Sequence, residues 1–199
     1  MSRFVNNLKR FIKQRILLQG KKPSYMVSEK SLNLLRGEAS KIASEFFSNM
    51  QGSDVEHDMS SIVNDFFHLY SQRPIKKNMG GSGFENLFWL YVTCRFLKPD
   101  LIVESGIWGG QTTWILRFAC PEAEFHSFDI DLANRQYIDD SVHYHECDWS
   151  TVDLGDTTNR RTLCFFDDHV SHLKRILEAQ ERGFKNLIFD DNLPNYMLF

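Results

Sequence analysis

Apolar residues recur at helical spacing along the first third of the chain, over Ser31 to Met50 and again over Val55 to Tyr70, with the break Gln51-Gly-Ser-Asp54 between them. The pattern predicts two amphipathic helices. Arg73-Pro-Ile-Lys-Lys-Asn-Met-Gly-Gly-Ser-Gly83 is dense in turn formers and marks the candidate boundary, with a helical N-terminal region over 1–77 and a second region over 78–199. Phe84 to Leu97 reads as an apolar helix stopped by Lys98-Pro99-Asp100, and Leu101 to Glu104 as a short β-rich run ending in a glycine turn. A helix is expected over Gln111 to Phe118, a strand over Glu124 to Ile130, a helix over Leu132 to Asp139 and a strand over Val142 to Cys147. Thr162 to Phe166 follows as strand, His169 to Arg182 as helix and Asn186 to Phe189 as strand. Runs too apolar to have a wetted face, alternating with helices, predict an α/β, doubly wound, mostly parallel sheet of about five strands.

Composition narrows the function classes. A net charge of -3 gives no basic surplus for wholesale nucleic-acid binding, and 42% hydrophobic residues in 199 are enough for one full-sized core. No run reaches the ~18 to 20 apolar residues that span a bilayer. Cys94, Cys120, Cys147 and Cys164 form no C-x-x-C pair and suit a reducing cytosol, so a cytoplasmic location is expected. Residues 1–22 hold Arg3, Lys9, Arg10, Lys13, Arg15, Lys21 and Lys22 with no acid, while Phe4, Leu8, Phe11 and Ile12 recur at helical spacing. Such a basic amphipathic helix either packs its apolar stripe on its own domain or lies on an anionic surface, a membrane included.

Ligands of open parallel sheets bind beyond the carboxyl ends of the strands. Those positions hold Glu104, Asp129, Asp131, Asp148, Asp167, Asp168, Asp190 and Asp191, more acids than turn capping requires. The turn Glu104-Ser-Gly106-Ile-Trp-Gly109-Gly110 sits directly between a β-rich run and a helix, where its glycines permit a sharp bend and close approach of a ligand to free N–H groups. Asp129 follows Glu104 by 25 positions, near the ~20-residue spacing at which an acid takes the hydroxyls of a ribose. The pair points to an adenosine-containing cofactor.

Over roughly Phe84 to Pro194 the sequence resembles the class I S-adenosylmethionine (SAM) dependent methyltransferases, whose domain is Rossmann-like. The resemblance implies that Glu104, Gly106, Gly109 and Gly110 wrap the methionine end of SAM, that Asp129 holds the ribose and that Asp148 lies near the adenine. A second constellation, Phe165-Phe-Asp-Asp-His169 with Ile188-Phe-Asp-Asp-Asn192, supplies hard oxygen donors of the kind Mg²⁺ prefers. It is similar to the metal site of catechol-type O-methyltransferases, which implies Asp168, Asp191 and Asn192 as ligands. Where those enzymes carry a lysine base, three residues after the first Asp, this chain has Ser171. His169 and His172 are the candidate catalytic bases in its place, with a helix cap and a solvated ring as the alternative readings. His143-x-His145 lacks further ligands and reads as strand packing.

The resemblance implies a sheet with more strands than the five counted, so the fifth strand is expected to present an uncovered edge. A C-terminally incomplete domain, or a homo-oligomer covering that edge, would account for it. The expected activity is methyl transfer to a hydroxyl of a small molecule or glycan, with Mg²⁺ assistance allowed by the acids. The alternatives are a metal-dependent hydroxylase similar to the cephalosporin hydroxylase group and a non-catalytic cofactor-binding or interaction module.

Overall fold

The computed structural model of the protein describes residues 29–51 and 58–190. The chain divides into two compact units, Met1–Glu38 and Ala39–Phe199. Of the first, only the opening turns of helix α1 (Glu29–Gln51) are described, and the basic segment 1–22 lies outside the described residues.

In the second unit a five-stranded sheet, wholly parallel, forms from β1 (Leu101–Ser105), β2 (Glu124–Phe128), β3 (His143–His145), β4 (Thr162–Phe166) and β5 (Asn186–Phe189). The strand order is β3-β2-β1-β4-β5. The central strands β1 and β4 are buried at every residue, as expected of strands covered on both faces. Their side chains divide by the two-residue period. Ile102, Leu163 and Phe165 point into one core with Phe125, while Leu101, Val103, Cys164 and Phe166 point into the other with Phe128.

The first core is closed by the second half of α1 through Ala43 and Phe47, by α2 (Met59–Ser71), by α3 (Phe84–Leu97) and by α4 (Gln111–Ala119). Asp58 starts α2 by accepting the N–H of Ser61, and Phe66, fully buried, meets Phe84, Phe88 and Tyr91 on α3. The second half of α1 and all of α2 therefore share the core of the sheet. The second core is covered by Trp149, Leu154, Phe184 and Ala179 of α5 (His172–Glu181). The unusual face is that of α5. Its apolar residues Leu173, Ile176 and Leu177 are exposed, whereas Arg175 is turned inward and buried.

Three expectations are corrected. The helix expected over Leu132 to Asp139 is a single 3-10 turn, Leu132–Asn134, because Asp131 caps it at Ala133 N and Arg135 returns to an extended conformation. The third strand is three residues long rather than six, since Asp139 captures Ser141 in a tight turn just before it. The last helix begins at His172 rather than His169, whose φ of 56° is incompatible with a right-handed helix. Cys94, Cys120 and Cys164 are buried, and all four thiols are free.

Candidate cofactor cleft at the strand ends

The order reverses between β1 and β4, so the loops after these two strands part and leave a crevice at the carboxyl edge of the sheet. A cleft of about 380 Å³ occupies it, lined by Gly106 and Trp108 after β1, Asp129 and Ile130 after β2, Cys147 and Asp148 after β3, and Asp167, Asp168 and His169 after β4. A larger hollow of about 560 Å³ lies beside β5, walled by Phe47, Trp89, Leu90, Phe165 and Ile188. It is mainly apolar and holds none of the glycine turn, so the chemistry belongs to the smaller cleft.

The turn is built by its glycines. Gly106 has φ 99° and presses on the backbone of β4 so closely that a Cβ would lie 2.3 Å from the Asp167 carbonyl oxygen. Its N–H donates to the Phe128 carbonyl at 2.9 Å, while the Asp167 N–H donates to the Ser105 carbonyl at 2.8 Å. Gly110, φ 86°, starts α4 and would push a Cβ to 2.9 Å from the Tyr137 carbonyl oxygen. Gly109 offers its carbonyl to the N–H groups of Gln136 and Tyr137. Chain-to-chain packing thus requires Gly106 and Gly110, and of the three only Gly106 borders the cleft.

Asp129 ends β2 and reaches over the turn. Its Oδ2 accepts the backbone N–H groups of Ile107 at 2.8 Å and Trp108 at 3.2 Å, and its Oδ1 that of Asp131. Trp108 adopts φ 48°, is half-exposed on the cleft, and donates its indole N–H to the Met79 carbonyl.

Glu104 stands one layer below. It is fully buried and does not line the cleft; its Oε2 accepts hydroxyls from Thr113 of α4 and Ser127 of β2, both at 2.6 Å. Burial raises its carboxyl to about 7, against the opposing pull of the Ser127 and Thr113 hydroxyls. It ties the turn's foundations together.

On the far side of the cleft Asp148 and Asp168 converge on Arg175, which is 1% exposed. Burial alone would lower the pKa of the guanidinium, but hydrogen bonds to Asp148, Glu178 and Asp168 hold it above its ordinary value. The Arg175 hydrogen bonds hold Asp148 well below the usual carboxylate range. Asp168 further accepts the Ser105 hydroxyl at 2.5 Å and the Val170 N–H at 3.1 Å. Arg175 is the residue sequence reasoning missed. The one available signal was the surplus of acids at the strand ends, which requires a buried counter-charge.

Of the two candidate bases, His169 is exposed at the cleft with its strained backbone, whereas His172 packs its ring on Phe189 at 4.4 Å between centroids and is not among the cleft-lining residues. Asp191 and Asn192 lie outside the described residues. Among the described residues no three His, Cys, Asp or Glu side chains are grouped to hold a metal ion. His143 and His145, expected to serve strand packing, stack with His126, whose Nδ1 lies 3.0 Å from His145 Nε2.

Strand order, parallel pairing and the acid-lined crevice at the switch point define a doubly wound, Rossmann-like α/β domain. No family model matches the chain, and no curated protein matches it. Solved structures do. The apo structure of CmcI is 15% identical over 66% of this chain and 67% of its own, with a TM-score of 0.48. A methyltransferase from Geobacter sulfurreducens is 19% identical over 78% of this chain and 84% of its own, with a TM-score of 0.47. An SAH-bound methyltransferase from Podospora anserina is 16% identical over 82% and 70%, with a TM-score of 0.47. The Rossmann-like fold rests on the strand order and the parallel pairing, to which these distant likenesses add nothing.

Proposed function

We propose that the chain binds SAM in the cleft between β1 and β4 and transfers its methyl group to a hydroxyl of a small molecule or glycan. The observation that carries the reading is Asp129, a carboxylate at the tip of β2 facing the glycine turn within a single cleft. Gly106, Trp108 and Asp129 would hold the methionine and ribose ends. Phe128, Ile130 and Cys147 offer the apolar wall that an adenine requires, with Asp148 at its rim. When bound, SAM supplies an electrophilic methyl on a sulfonium.

The chain's own residues then have two tasks. The cleft orients the acceptor oxygen for in-line attack, and His169, exposed at its mouth, accepts the hydroxyl proton. His172, packed against Phe189, is less well placed for this role. Mg²⁺ assistance would enlist Asp168 with Asp191 and Asn192. The described donors do not fit it, because Asp168 already serves Arg175, Ser105 and Val170, so no step here runs through a metal.

Calorimetric titration with SAM and with its demethylated product tests the reading, followed by label transfer from methyl-labelled SAM to a panel of hydroxyl acceptors. Binding that disappears in Asp129→Ala supports it. A folded chain that binds neither ligand sinks it.

A further inference from the structure

We infer that Arg175 is the resident cation of this cleft: its guanidinium joins Asp148 to Asp168 and takes the Asp168 oxygen that a divalent ion would need, so that Asp168 is closed to metal and organised by arginine instead.

The argument rests on how completely the donors are used. A guanidinium has five N–H donors in a rigid plane. Nε reaches Asp168 Oδ2 at 2.9 Å, and Nη2 reaches the same oxygen at 2.8 Å and Asp148 Oδ2 at 2.7 Å. Nη1 reaches Asp148 Oδ1 at 3.2 Å and Glu178 Oε2 at 2.7 Å. Four of the five donors thus make a hydrogen bond to a carboxylate, and the remaining Nη2 contact with Asp168 is an ion pair. The acceptor side is used almost as fully, because Asp168 Oδ2 also takes the Ser105 hydroxyl and Oδ1 takes the Val170 N–H. A dication on Asp168 would have to displace the guanidinium from Oδ2 and then stand beside a buried positive charge, which Coulomb repulsion opposes.

Nor is Arg175 free to swing away. It lies on α5 one turn before Ala179, which is fully buried in the second core, and its guanidinium carbon sits 5.8 Å from the centroid of Phe166 on β4. It therefore acts as a strut in the cleft wall, joining the loop after β3 to the loop after β4. It also borders the cleft, and in this role it is a positioning residue for Asp148 and Asp168.

The location rests on reading the cleft as the cofactor site, but the test does not require SAM. Mn²⁺ is titrated into the full chain without cofactor and free ion is read by electron paramagnetic resonance, for the wild type, Asp168→Asn, Arg175→Lys and Arg175→Met. The wild type and Arg175→Lys are expected to show no saturable site. Arg175→Met, which leaves three acids without their cation, is expected to gain a saturable Mn²⁺ site. Saturable binding by the wild type that Asp168→Asn removes would overturn the inference, and so would a folded Arg175→Met with no gain. If Arg175→Met does not melt cooperatively, the wild type and Asp168→Asn decide the matter alone. A chain that shows the expected Mn²⁺ behaviour but binds no SAM would remove the proposed function and leave this inference standing.

Discussion

The carboxylate of Asp129 holds the backbone N–H of Ile107 at 2.8 Å, so the acid at the end of β2 fixes the turn at the end of β1. The same oxygen takes the N–H of Trp108, and the two bonds set the turn's conformation before any ligand arrives. Asp129→Ala removes both bonds together with the one to the Asp131 N–H. The expected cost is about 1–3 kcal/mol, typical of a lost hydrogen bond to a charged group, seen as a lowered midpoint in chemical denaturation. SAM affinity should fall at least about tenfold in the same variant. Asp129→Asn, which keeps one carbonyl oxygen, should lose less of both. Equal stability of wild type and Asp129→Ala would mean that the turn holds itself.

Glu104 predicts a pH dependence of unusual sign. Its carboxyl titrates near 4.5 when unfolded and about 7 when buried in the native state. Between these values the native state binds the proton that the unfolded chain has released, so stability falls as pH rises through this window. The group's contribution is fully present below about 4.5 and lost above about 7. At most roughly 3 kcal/mol is involved, from 1.36 kcal/mol per unit of pKa difference. Glu104→Gln, of the same shape and neutral throughout, should flatten that slope while keeping the Thr113 and Ser127 contacts. Urea denaturation of both proteins between pH 5 and 8 checks it. An unchanged slope in Glu104→Gln would assign the dependence to another group.

How far the sequence reveals this molecule varies with the range of the forces involved. The central strands were legible because Leu101, Ile102, Val103 and the run Leu163–Phe166 are buried on both faces and therefore apolar throughout. The glycine turn and Asp129 were legible because local backbone geometry demands those residue types at those positions. The segment 132–139 was misread because one Asx cap at Asp131 outweighed a helical pattern carried by few apolar positions. Arg175 was invisible for a different reason. Its partners Asp148 and Asp168 come from separate loops, and only the folded sheet brings them to one helix. Glu104 shared a motif with residues that reach the cleft, and the sequence alone does not distinguish a carboxylate under the turn from one facing the ligand.

The glycines of the turn should differ sharply in tolerance. Gly106→Ala forces a Cβ to 2.3 Å from the Asp167 carbonyl oxygen at a φ of 99°. Since that contact is backbone on backbone, relief requires parting β1 from β4, and a destabilisation of about 3 kcal/mol or more is expected. At Gly109 a Cβ would meet the Cδ1 of Ile75 at 3.1 Å, and that side chain can give way. Gly109→Ala should therefore cost about 1 kcal/mol or less. Thermal melts of the two variants side by side decide it, and a Gly106→Ala melt matching that of the wild type would contradict the close approach of the two strands.

Trp108 should report on the cleft directly. It is 49% exposed and lines the cleft, whereas Trp114 and Trp149 are 4% and 0% exposed and belong to the two cores. Trp89 is half-buried beside the separate apolar hollow near β5. A ligand in the cleft therefore meets one indole and leaves the other three in their surroundings. A sulfonium or an adenine brought against that ring changes its environment, the former through attraction of a cation to the ring face. Titration with SAM or its demethylated product is expected to change the tryptophan emission, and Trp108→Phe should abolish most of that change while retaining a bound ligand by calorimetry. A full emission change surviving in Trp108→Phe would place the ligand elsewhere, with Trp89 and the β5 hollow as the alternative to examine by Trp89→Phe.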